Sequence, residues 1–136
     1  MTYLTDANVL SEPTKPAPEP RVVQWLRDHE AELAVNPIVL GELEYGILLL
    51  PPGRRRTRLQ QWFERGVQTL RILDFDAAAA AAWARLLAGL KAKGLAMSVK
   101  DSLIAATALA QDLTLATRNL TDFRHAGVRL VNPSDL

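Results

Sequence analysis

The sequence predicts an α/β fold with a mostly parallel central sheet, on three observations. Short apolar or β-branched runs alternate along the chain with longer stretches of helical periodicity. Proline, glycine and capping residues stand at the joints between them. A length of 136 residues suits one domain, with 49% hydrophobic residues to fill a core and 23% charged residues to cover it.

Thr2 to Thr5 reads as a short strand ending at Asp6, and Asn8 to Ser11 as a turn or a single helical turn. Four prolines from Pro13 to Pro20 leave no continuous donor ladder, so that stretch is expected to be a loop. Pro20 opens an amphipathic helix through Val22, Val23, Trp25 and Leu26 to about His29. Glu32 to Val35 is the second strand. Asn36-Pro37 then combines an N-cap with a first-turn proline, and the helix it starts runs to Leu49, where Pro51-Pro52-Gly53 stops it.

Arg54 to Arg65 is the next helix, and Arg71 to Leu73 the third strand. Asp76 caps an alanine-rich helix that ends near Lys93 and is closed by Gly94. Ser98 begins a helix to about Gln111. Leu113 to Thr117 and Val128 to Val131 complete four to five short strands. Strands alternating with helices put helices on both faces of the sheet.

The composition narrows the chemistry. Cysteine is absent, and the two histidines, His29 and His125, lie far apart, so a metal would be held by oxygen. That favours Mg2+ or Mn2+. No apolar run approaches the roughly 20 residues of a membrane span, and the N-terminus reaches Asp6 without an apolar leader, so a cytoplasmic protein is expected. The net charge of +1 says little by itself, although Arg54, Arg55, Arg56 and Arg58 form one basic knot.

Ligands of parallel sheets bind beyond the carboxyl ends of the strands. That rule selects Asp6, Asn36, Glu42 and the segment Thr117 to Asp122. Each acid also has a plainer reading. Asp6 can be a turn former or cap. Glu42 falls on a helical stripe with Ile38, Val39, Tyr45, Gly46 and Leu49 that is expected to face the core, and an arginine such as Arg118 can neutralise it. Asp101 heads an apolar face of Ile104, Ala105, Ala108 and Leu109, yet Ser98-x-x-Asp101 also makes a capping box. Asp122 shares one side of a turn with Asn119. Taken together, four carboxylates are expected at one end of one sheet. Two such charges ~4 Å apart repel by about 4 kcal/mol at an effective dielectric of 20, so a cluster raises its pKa values or takes up a cation.

Four blocks carry a resemblance: Asp6-Ala7-Asn8-Val9-Leu10-Ser11-Glu12; Gly41-Glu42-Leu43-x-x-Gly46; Met97-Ser98-Val99-Lys100-Asp101-Ser102-Leu103-Ile104-Ala105-Ala106-Thr107-Ala108; and Thr117-Arg118-Asn119-x-x-Asp122-Phe123. With the closing Val131-Asn132-Pro133, the chain resembles a PIN domain from end to end. It is similar, more narrowly, to the VapC-type toxins of toxin–antitoxin pairs, including the FitB-like branch.

The resemblance implies an α/β/α sandwich, a single PIN domain over 1–136, and a Mg2+- or Mn2+-dependent endoribonuclease held inactive by a cognate antitoxin. It also implies a homodimer. By position, Asp6, Glu42, Asp101 and Asp122 match the acidic, metal-holding cluster, while Asn8 and Asn119 match its polar helpers with Thr117 beside them. Two positions depart from the family habit: Ala7 stands where threonine is frequent, and Ser98 where proline is. The arginine knot would contact RNA phosphates or form a solvated helix face.

Two other readings compete. One is a binding module that acts chiefly as antitoxin partner in a DNA-binding complex, using Trp25, Trp62 and Phe63 at an interface. The other is phosphotransfer through an Asp6 nucleophile, for which Asp-x-Asp is wanted and Asp6-x-Asn8 is present.

Overall fold

A computed structural model describes residues 1–136, and its sheet grows outward from the first strand. β1 (Tyr3–Thr5) pairs in parallel with β2 (Leu33–Val35) on one side and β4 (Thr114–Ala116) on the other. β3 (Arg71–Ile72) adds beyond β2, and β5 (Arg129–Val131) beyond β4. The order is β3-β2-β1-β4-β5, and all pairings are parallel. The chain therefore builds one way from β1 and later returns to build the other way, which makes the β1/β4 boundary a topological switch point. Asp6 and Thr117 follow those two strands directly.

Parallel neighbours need crossovers, and the helices supply them. α1 (Ala7–Leu10) and α2 (Pro20–Asp28) lie between β1 and β2, α3 (Pro37–Leu48) and α4 (Arg54–Arg65) between β2 and β3, and α5 (Ala77–Ala92) and α6 (Val99–Gln111) between β3 and β4. A last turn, α7 (Leu120–Phe123), precedes β5.

The strand residues sort by alternation. Leu4, Ala34 and Leu115 share a register and pack with Val39, Leu43, Ile104 and Ala105 on one side of the sheet. Leu33 and Ala116 pack with Val22 and Trp25 of α2 on the other. All three residues of β2 and of β4 are buried, as sheets covered on both faces require. Burying a leucine or phenylalanine of this core contributes about 1.5–3 kcal/mol.

Local chemistry explains the boundaries. Asn36 Oδ1 accepts from Val39 N at 2.9 Å, with Pro37 in the first turn of α3. Asp76 Oδ1 accepts from Ala79 N at 2.9 Å, and Gly94 takes φ +69° beyond the end of α5. α4 spans Arg54–Arg65, as its sequence predicts. Within the proline-rich loop, Glu12–Thr14 forms a single 3-10 turn that the prolines had argued against.

The expected face of α3 needs correction. Its buried residues are Val39, Leu43 and Ile47, whereas Tyr45 and Leu49 are 63% and 66% exposed. Apolar residues surround this helix, so the packing face turns by one position and leaves Glu42 at its edge, half-buried. Trp25 and Phe63 lie in the core at 5% and 1% exposure, and Trp62 packs against it, so these rings supply packing rather than an interface. No helix is long and apolar enough to cross a membrane.

Candidate active site

Asp6 is anchored at the switch point by both carboxylate oxygens. Its backbone N–H donates to Ala116 O, continuing the β1–β4 pairing. Its Oδ1 caps α1 through Ala7 N at 2.8 Å, and its Oδ2 accepts from Thr117 Oγ1 at 2.9 Å. The turn-cap reading of Asp6 thus holds, and the capping carboxylate lies at the strand end where a ligand is expected. The residue is 5% exposed, and burial pushes its carboxyl pKa above the ordinary value of 3.8. The bonds from Thr117 and Ala7 pull it down, while the charges of Glu42 and Asp101 push it further up.

Glu42 arrives from the edge of α3. Its Oε2 is sealed from solvent and accepts no regular hydrogen bond. The Lys100 ammonium lies 2.7 Å from that oxygen and forms an ion pair with it. Contact with Glu42 raises the Lys100 pKa, burial opposes the rise, and the charges of Glu42, Asp101 and Asp6 add to it. The expected partner for Glu42, Arg118, is engaged elsewhere: it pairs with Glu12.

Asp101 sits in the first turn of α6, half-buried, and its side chain accepts no hydrogen bond or salt bridge. Ser98 Oγ accepts from Asp101 N at 3.1 Å, so helix initiation survives without a proline at that position. Asp6, Glu42 and Asp101 therefore come close enough to act on one another's charge, together with Lys100.

Asp122 stands apart on α7 and is exposed. It shares with Asp101 a depression of about 490 Å³ that Ser98, Thr121, Arg124 and His125 also line. No three of the histidine, aspartate or glutamate side chains stand close enough to enclose one ion between them.

The polar helpers divide by task. Thr117 is fully buried and organises its surroundings: besides bonding Asp6, its Oγ1 accepts from Asn119 N at 3.0 Å. Asn8 Oδ1 accepts from Arg118 N at 3.3 Å, which ties α1 to the loop after β4. The Asn119 side chain makes no hydrogen bond and is exposed. Asn36, also selected by the strand-end rule, is fully buried and structural, capping α3 and donating to Thr107 Oγ1 at 3.2 Å.

The arginine knot splits. Arg55 lines a depression of about 330 Å³ with Asn8 and Glu42, whereas Arg56 lines a different one with Glu44 and Glu64. Arg54 and Arg58 line neither.

Sequence reasoning missed Lys100 and Glu12. A lysine in the first turn of a helix opposes the macrodipole, and that misfit was the available signal for Lys100. Glu12 gave none.

A PIN domain family model matches residues 3–128. The chain is 38% identical over 134 residues to Toxin FitB of Neisseria gonorrhoeae, covering 96% of each. It is 36% identical over 132 residues to the VapC ribonuclease Y4jK of Sinorhizobium fredii, covering 94% of each. Among solved structures, FitAB bound to an IR36 DNA fragment matches with a TM-score of 0.92 and 35% identity, covering 99% of this chain and 97% of that one.

Proposed function

Because the chain belongs to the PIN domain family, we propose that it is a metal-dependent endoribonuclease, the toxin of a toxin–antitoxin pair, formed as a single PIN domain over residues 1–136. One observation carries the reading: a buried aspartate at the sheet's switch point, pushed toward its neutral form by burial and by two further acids. Such an arrangement is relieved by a divalent cation. The donor chemistry fits a hard ion, since every candidate ligand is a carboxylate and the Asp101 side chain has no hydrogen-bond or salt-bridge partner of its own.

Asp6 and Asp101 would hold Mg2+ or Mn2+, with Glu42 and Asp122 completing the set directly or through water. Held there, such an ion would supply Lewis-acid chemistry for phosphodiester hydrolysis. The chain's own part is positioning. Thr117 fixes the Asp6 carboxylate, Ser98 starts α6 so that Asp101 faces the crevice, and Asn8 holds the Arg118 amide. Asn119 is free to meet substrate. Arg55 is the member of the basic knot best placed for an RNA phosphate.

A cognate antitoxin as partner is supported by the 35% identity and near-complete overlap with the toxin-bearing FitAB complex. A homodimer and a cytoplasmic location accompany this reading. Tyr45, Leu48 and Leu49, at 63%, 54% and 66% exposure, give α3 an apolar strip suited to association. The binding-module alternative accounts for an antitoxin contact but gives the three mutually repelling acids no task. Asp6 phosphotransfer fares worse, because Asn8 stands where that chemistry wants a second aspartate and its Oδ1 is engaged by Arg118 N.

The test is cleavage of RNA by the purified chain. Activity should require Mn2+ or Mg2+, stop with EDTA, and be lost in Asp101→Asn. Undiminished cleavage in EDTA, or by that variant, would end the reading.

A further inference from the structure

Lys100 is the one cation paired with any of Asp6, Glu42 and Asp101, and the chemistry above leaves it without a role. It does not help its own helix, because a positive charge in the first turn opposes the macrodipole and Ser98 already caps that end. Its side chain is 53% exposed, yet its ammonium reaches inward to a buried oxygen of Glu42 at 2.7 Å.

We propose that Lys100 is a built-in counter-ion, holding the acidic cluster together in the metal-free chain and giving up its place when a divalent cation binds. The proposal rests on the metal-site reading and concerns what competes for that site.

Three features favour it. Glu42 Oε2 has no other donor, so without a metal the ammonium is its sole compensation. An ammonium and a divalent ion repel each other and compete for the same carboxylate oxygen, so a metal that takes Glu42 Oε2 displaces the ammonium from it. Lysine suits the exchange: its charge is compact and its stem flexible, and here the side chain is half in solvent. An arginine fork would grip the carboxylate in two places and yield it less readily. Metal binding is then a replacement rather than an addition, and the affinity is lower than the acids alone would give.

The experiment is calorimetric titration of Mn2+ into metal-free protein without RNA, paired with thermal unfolding. Lys100→Gln should bind Mn2+ about five- to tenfold more tightly, the scale of a half-exposed ion pair. The metal-free variant should melt lower than the parent, and Mn2+ should raise its Tm further. Lys100→Arg, which keeps the charge, should restore weak Mn2+ binding. Equal or weaker Mn2+ affinity in Lys100→Gln would overturn the role of Lys100 and leave the metal site standing. Absence of Mn2+ binding to parent and variant alike would remove both.

Discussion

Two buried acids six residues apart, Asp6 and Glu12, are treated in opposite ways by the same fold. Both are nearly sealed, at 5% and 3% exposure. Around Glu12 the chain assembles full compensation. Lys15 Nζ stands 2.9 Å from Oε1, Glu19 N donates to Oε2 at 3.0 Å, and Arg118 pairs with Oε1 as well. Burial alone would raise the Glu12 pKa, but these bonds and charges outweigh it and hold the carboxyl below the ordinary value of 4.5. Around Asp6 the chain assembles two neutral donors and two more acids, and the pKa rises. A buried charge with dedicated partners belongs to the structure. One surrounded by like charge is kept for something the chain does not itself contain.

The sharpest way to break this contrast is to remove each charge and read both activity and stability. Asp6→Asn should lower RNA cleavage by roughly 100- to 1000-fold, the range for losing one electrostatic stabiliser of a transition state. In EDTA at pH 7 the same variant should be no less stable than the parent. The sign follows from linkage: an acid whose folded pKa is raised contributes stability below its unfolded pKa and loses it as pH rises through the folded one. At pH 7, above the unfolded value, the raised pKa of Asp6 therefore costs stability, a cost that asparagine does not carry. A variant that unfolds much more easily while still cutting RNA would reverse the assignment of the two acids.

Glu12→Gln should behave the other way. It should cost about 2 kcal/mol at pH 7, the scale of hydrogen bonds to a charged group, measured by chemical denaturation. Its pKa is depressed, so the contribution is present above the unfolded value of 4.5 and lost as pH falls through the lower folded value. Parent and variant should thus converge in acid. A difference that stays constant from pH 7 to pH 3 would mean that packing, not charge, holds this corner. Because Arg118 lies between Glu12 and the Asn8 bond, a modest loss of activity should accompany the loss of stability.

A smaller effect separates capping from chemistry at Asp101. Ser98→Ala removes the acceptor for Asp101 N and should cost about 1 kcal/mol, with most of the RNA cleavage retained. Cleavage lost as completely as in Asp101→Asn would show that the start of α6 must be fixed more tightly than a single cap implies.

The parts of this molecule that were legible in the sequence are those decided within a few residues. Asn36-Pro37, Asp76, Ser98 and Gly94 each announce a helix boundary by local hydrogen bonding or backbone freedom, and the structure has them there. Asp6 and Asp101 were legible as acids at a strand end and a helix start. What stayed hidden depends on rotation and on distant partners. α3 is apolar on several sides, so periodicity could not decide between a face through Tyr45 and Leu49 and the real one through Leu43 and Ile47. The Glu42–Lys100 pair joins two helices, and the Glu12–Arg118 pair spans 106 positions, so no local pattern encodes either. Glu12 sits in a proline-rich loop where a buried acid is the least expected residue.

The same dependence on rotation sets the weakest and most specific prediction, within the run Arg54 to Arg58. Sequence alone treats four arginines as one patch. On α4 they point in different directions, and of the four only Arg55 lines the depression that holds Asn8 and Glu42. An arginine bound to a backbone phosphate releases counterions, and each such contact adds about 0.7 to the slope of log affinity against log salt for single strands. Arg55→Gln should therefore flatten the salt dependence of binding to uncleaved RNA by about 0.7, measured with the Asp101→Asn chain to prevent turnover. Arg54→Gln and Arg58→Gln should leave the slope nearly unchanged. If all three substitutions flatten it equally, RNA sees α4 as a diffuse charge, and the orientation of Arg55 toward the acids carries no selectivity.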